Sequence, residues 1–243
     1  MRKIIVAFMV LALAHSLSGS TMAEADKLWE LRAESANATK AVMLYQELLK
    51  QNPTYEGYLK LARGLAFQGR FHLKEEQEQE KMAAFTRCIG LSVQAGRLNP
   101  GGLEAVFVNG MCHAERAKVD QSLGDARRAK NAMERVLKEK PLLYDGLAYT
   151  ILGKLYFEIP GWPISFGDND KAIEILRKVL AINPRNRYNY FFLSEVLWSE
   201  GFKNEAKDIL KRGMDLPPDP LFLVEDQDCL KEMRLFQKKE DIK

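Results

Sequence analysis

The sequence predicts an all-α fold: a solenoid of about four irregular helical hairpins closed by a C-terminal capping helix. Three observations carry this expectation. Two tandem units in the second half place aromatic, aliphatic and small residues at the same internal spacing. A proline closes each unit, where a helix lacking an N–H donor has to stop. No run of alternating β-branched residues bounded by hairpin turns occurs anywhere in the chain.

In chain order, Ala41-x3-Tyr45-x2-Leu48 before Pro53 reads as the second helix of a hairpin. Tyr58-x2-Leu61-Ala62-x2-Leu65, with Gly69 at the turn, reads as the first helix of the next. Its second helix is expected to cross the charged stretch Lys74 to Lys81 and run through Ala84-x3-Cys88-x2-Leu91 towards Asn99-Pro100. Ala129-x3-Met133-x2-Val136 before Pro141 is another second helix, whose first helix, from Leu103 to about Leu123, fits the pattern poorly. Tyr149-x2-Leu152-Gly153-x2-Tyr156 with Ala172-x3-Leu176-x2-Val179 and Pro184 is the best unit. Tyr190-x2-Leu193-Ser194-x2-Leu197, Gly201, Ala206-x3-Leu210-x2-Gly213 and Pro218 follow in register. This is the tetratricopeptide pattern, in which small residues sit where two helices cross closely and large ones fill the gap to the next hairpin. A last helix around Leu221 to Gln237, apolar at Leu223, Leu230, Met233 and Phe236, covers the apolar face that the final hairpin exposes.

Residues 1–25 read as an export signal, and 26–243 as the helical domain. Arg2 and Lys3 precede an apolar run from Ile4 to Ala14, and Ala23-Glu24-Ala25 fits a small-x-small cleavage pattern. Eleven apolar residues are too few to span a bilayer. The expected location is therefore the periplasm or the extracellular space, with no membrane span after cleavage. The whole chain carries a net charge of +3; without its first 25 residues it keeps 34 basic and 32 acidic residues. So balanced a charge argues against nucleic acid as a partner.

Catalytic signatures are missing from the sequence. Only His72 and His113 remain beyond the leader, and no nucleophile elbow, His-Glu-x-x-His or phosphate-cradling loop occurs. Cys112-His113 is no metal site, because neighbours on a helix point about 100° apart. The expectation is a non-catalytic binding protein with no cofactor and no metal.

The binding surface is expected on the inner wall, formed by positions 2, 5, 9 and 12 of each first helix. The last hairpin offers Tyr188, Phe191, Glu195 and Trp198 there; the one before it Leu147, Thr150, Lys154 and Phe157; an earlier one Leu59, Arg63 and Ala66. Aromatics with a few charges suit a peptide or ligand wall, or they pack against the cap. Cys88 and Cys112 each lie 12 residues from Pro100. If Pro100 marks a turn between antiparallel helices they sit at one height, where they form a disulfide or remain two buried thiols.

The loop Ile159-Pro160-Gly161-Trp162-Pro163-Ile164-Ser165-Phe166-Gly167-Asp168 is longer than a plain hairpin needs. Either Trp162 and Phe166 fold back between helices, or they face a partner. The loop resembles the Pro-Gly-x-Pro-x-Ser-x-Gly-Gly-Asp loop of the TRAP-transporter-associated (TatT-like) tetratricopeptide proteins, with Asn169 departing from it after Gly167-Asp168. Tyr144-x-Gly146 and Asn186-x3-Tyr190-x2-Leu193 are similar as well, so the specific likeness spans about residues 144–206. The resemblance implies a periplasmic adaptor for the extracytoplasmic solute-binding protein of a tripartite substrate-uptake system. It also implies homo-oligomers and shelter for a small apolar ligand. A general envelope scaffold is the alternative. Members are often lipid-anchored, and this chain has no lipobox cysteine.

Overall fold

The computed structural model describes residues 21–242; Arg2, Lys3 and the apolar run of the leader lie outside them. Eleven α-helices are present among the described residues, and no strands. They are α1 (Met22–Glu30), α2 (Ser35–Gln51), α3 (Tyr55–Phe67), α4 (Glu78–Leu98), α5 (Leu103–Asp120), α6 (Leu123–Glu139), α7 (Leu147–Glu158), α8 (Asn169–Ile182), α9 (Arg187–Ser199), α10 (Lys203–Met214) and α11 (Leu223–Lys239). Consecutive helices pair as five hairpins, and α11 follows alone. The fold is the all-α, tetratricopeptide-type solenoid that the repeats predict.

Local chemistry sets the helix starts. Thr21 and Glu24 form a reciprocal capping box on α1. Side chains of Thr54, Ser122, Asp168 and Asn186 accept from the first free N–H groups of α3, α6, α8 and α9. The 25/26 boundary falls inside α1, where Ala25 is wholly buried against the first hairpin's core.

Hairpin packing follows the small residues. A Cβ on Gly153 would come within 2.6 Å of Leu176 Cγ, so α7 and α8 cross at a distance only glycine allows. Gly110 plays the same part in α5, where a Cβ would meet Ala132 at 2.6 Å and Met133 at 2.7 Å. That glycine puts the poorly matching helix in register and assigns His113 to the large-residue position. The site is not apolar: His113 Nδ1 lies 2.9 Å from Asp125 Oδ1, and Arg116 donates to both oxygens of the same carboxylate at 2.6 and 2.8 Å. Arg116 and His113 hold the buried Asp125 carboxyl below its ordinary value.

Two elements differ from expectation. The turn of the second hairpin lies later than Gly69, because α3 runs into a π-helical turn, Gln68–His72, and α4 begins only at Glu78. The first hairpin also has a first helix, the short α1, which the pattern did not show.

Helix α11 does more than cover the last hairpin. It leans on α9, the inner-wall helix, and reaches the π turn of α3. The connection Leu216-Pro217-Pro218-Asp219 leads into it through a 3-10 turn, Pro220–Phe222. At its start, Arg32 from the α1–α2 turn donates to Leu221 O and to Glu225 Oε1, the latter at 3.0 Å. The first and last elements of the array are thereby joined.

Candidate functional site

The inner wall of the last hairpin is occupied by the protein itself. Tyr188 donates its hydroxyl to Asp228 of α11 at 2.8 Å and stacks on Phe192 with centroids 5.5 Å apart. Phe191, only 7% exposed, meets Phe236 at 6.1 Å. Trp198 donates Nε1 to Glu240 at 2.8 Å and holds Phe236 edge-on at 6.3 Å. Of the two readings open for these aromatics, a binding wall or packing against the cap, the structure shows the second: α11 lies over Tyr188, Phe191 and Trp198, as an amphipathic helix covers an exposed aromatic face.

Thr150 is also no wall residue. It is 3% exposed and donates to Asn189 Oδ1 at 2.6 Å, while Asn189 donates to Asn183 O at 3.0 Å. The pair locks α7 to α9 inside the core. Phe157 is half-buried and packs on that core. Arg63 is exposed, with its guanidinium 5.3 Å from the Tyr144 ring centroid.

Deeper along the wall the lining is charged. Arg70 and Glu115 form an ion pair at 2.9 Å. Lys154 reaches Glu158 at 3.6 Å and sits 4.7 Å from the Phe192 ring centroid. Burial pushes the Lys154 ammonium below its ordinary range. Glu195 is pushed up to about 7 by burial, reinforced by the carboxylates of Glu158 and Glu232 and opposed by Lys154.

The Trp162 loop divides between its two readings. Phe166 folds inward, edge-on to Tyr156 at 5.8 Å and under Lys130 Nζ at 5.6 Å. Gly161 and Gly167 form an isolated bridge that closes the loop on itself. Trp162 stays outside, 90% exposed, beside Ile164 at 63%. An indole left in water on a tied-down loop is an unusual surface.

Cys88 and Cys112 are joined, with Cα atoms 6.0 Å apart between α4 and α5. Cys229 is a buried free thiol on α11, held protonated well above its ordinary value by burial. No group of three or more His, Cys, Asp or Glu side chains suited to a metal occurs among the described residues. No described helix is long and apolar enough to cross a membrane.

Sequence reasoning missed the anchor of α11. Arg187, 2% exposed, donates to both oxygens of Asp226 at 2.9 Å and to the carbonyls of Gly213, Met214 and Leu216. A lone arginine among the aromatics of α9 was the only available signal, and its partner lies 39 residues away.

The tetratricopeptide repeat family matches residues 164–186. No curated protein matches the chain. Among solved structures, the chain is similar to TTC0263, a thermophilic TPR protein of Thermus thermophilus. The TM-score is 0.62 at 18% identity, over 87% of this chain and all of that one. MamA matches at a TM-score of 0.48 and 20% identity, over 76% of this chain and 91% of its own, too distant to bear on the argument. The chain thus carries a tetratricopeptide repeat within a tetratricopeptide-type solenoid.

Proposed function

We propose that the protein is a non-catalytic, exported adaptor that docks on the solute-binding protein of a tripartite (TRAP-type) uptake system through its Trp162 loop. The observation that carries this reading is Trp162, 90% exposed on a loop that Phe166 and the Gly161–Gly167 bridge hold in place. Rigid aromatic anchors presented to solvent are the residues that dominate interfaces, because little side-chain freedom is lost when they dock. The loop is also the segment that most resembles the TRAP-associated family. The leader-like N-terminus and the Cys88–Cys112 link support an oxidising location outside the cytoplasm.

A carrier of small apolar ligands is less well supported, since Arg70, Glu115, Lys154 and Glu195 place charge along the inner wall. The test is crosslinking in intact source cells, with a photoreactive group beside Trp162, then capture of the tagged protein and mass spectrometry. Recovery of an extracytoplasmic solute-binding protein, lost in Trp162→Ala, is the expected result. Recovery of envelope-assembly factors alone, or of this chain alone, overturns it.

A further inference from the structure

The contacts of α11 describe a binding seat. A stripe of side chains at heptad spacing runs along α11 to its C-cap: Asp226, Cys229, Met233, Phe236 and Glu240. Each meets a defined partner on the wall or lies fully buried. Asp226 takes the Arg187 fork at 2.9 Å; Cys229 and Met233 are 0% exposed; Phe236 fills the space between Phe191 and Trp198; Glu240 accepts from Trp198 Nε1. The Arg187 half of the seat does not depend on α11. Three carbonyls, of Gly213 and Met214 at the end of α10 and of Leu216 just past it, already fix that guanidinium, leaving its remaining edge aimed at a carboxylate.

The occupant is held less completely than the seat is built. Of its 17 residues only Asp226, Cys229 and Met233 are buried. The latch at its start leaves Arg32 Nε and Glu225 Oε2 buried without a protein partner. Its tether, Pro217-Pro218-Asp219, is a stiff, non-helical connection before the 3-10 turn and the helix proper.

We infer that the inner wall of the fifth hairpin is a helix-recognition site, and that α11 is an intramolecular occupant which a partner helix of the same chemistry replaces. That chemistry is an amphipathic helix with acidic residues in its first turn, a medium apolar residue two turns later, an aromatic next and an acid at its end. Covalent attachment gives α11 a high effective concentration, so the site is masked until such a helix competes or the latch loosens. This surface is separate from the Trp162 loop, and its test involves no transport component.

The probe is a fluorescent peptide of residues 221–241, titrated into the full chain. Wild type should bind it weakly. Glu225→Ala/Glu240→Ala, which cuts two polar ties on α11 outside the core, should bind it at least about tenfold more tightly. Adding Trp198→Ala to that variant should reduce the gain at least about fivefold, because it removes the aromatic wall. In wild type, hydrogen exchange should run at least about tenfold faster in α11 than in α9 and α10, through local opening. An unlatched variant that takes up no peptide, or binds it equally with and without Trp198, overturns the inference. So does an α11 whose amides exchange as slowly as those of α9.

Discussion

Replacing Arg187 with methionine isolates a buried, two-pronged ion pair between α9 and α11. The guanidinium is 2% exposed, and Asp226 9%. Methionine fills most of the volume, so packing changes little; what remains is a carboxylate facing an apolar wall and carbonyls of Gly213, Met214 and Leu216 short of donors. Removing one partner of a buried ion pair costs about 3–5 kcal/mol, chiefly through the stranded charge. For a domain of this size that lowers the melting temperature by about 10 °C. Asp226→Asn keeps the shape and one acceptor, so it should cost distinctly less. Arg187→Met/Asp226→Leu should recover part of the single-mutant loss, since no charge is stranded. The assay is urea unfolding followed by circular dichroism, with all four chains compared at one pH. A loss below about 1 kcal/mol for Arg187→Met, or a double mutant no more stable than Arg187→Met, refutes the reasoning.

Other consequences can be checked on the same samples. The Cys88–Cys112 link closes a segment of 24 residues, worth about 3 kcal/mol of chain entropy. Thiol titration of the denatured, unreduced protein should find only Cys229, and Cys112→Ser should melt about 10 °C lower; three titratable thiols would contradict the link. Glu195, raised from 4.5 to about 7, binds its proton more tightly in the folded state. Its burden is therefore fully present above pH 7 and relieved as pH falls from 7 towards 4.5. Glu195→Gln should raise stability at pH 8 by about 2 kcal/mol and flatten the profile between those limits; an unchanged slope would oppose the assignment. Trp162→Ala should leave stability within about 0.5 kcal/mol of wild type, so a large loss by calorimetry would mean that the indole packs.

The hairpins were legible wherever close approach demands a residue type. Gly153 beneath Leu176, and the tyrosines and leucines spaced around it, are local consequences of two helices crossing. The first hairpin was hidden because α1 has nine residues and presents no pattern of its own. Helix α5 was obscure because His113 stands where a large apolar side chain belongs, and its compensation comes from Arg116 on the same helix and from Asp125 in the first turn of the next. Positions along the inner wall could be counted from the repeat, but not what faces them. That depends on the register of α11, set by Arg187 with Asp226 and Tyr188 with Asp228, at separations no short pattern spans. The Trp162 loop shows the same division: its length was visible, whereas the opposite fates of Phe166 and Trp162 depend on Tyr156 and Lys130.

The contact of Arg32 with Glu225 spans 193 residues. In an open repeat array each unit knows only its neighbours, so either end unravels independently and stability is a sum of local terms. Here the array is a closed circuit. Arg32, in the turn of the first hairpin, meets Leu221, Phe222 and Glu225 at the far end, and closing the circuit costs loop entropy only once, for the whole chain. Loss of order at one terminus is therefore felt at the other: lifting α11 takes Leu221, Phe222 and Glu225 away from Arg32. The two ends, farthest apart along the chain, form one cooperative unit.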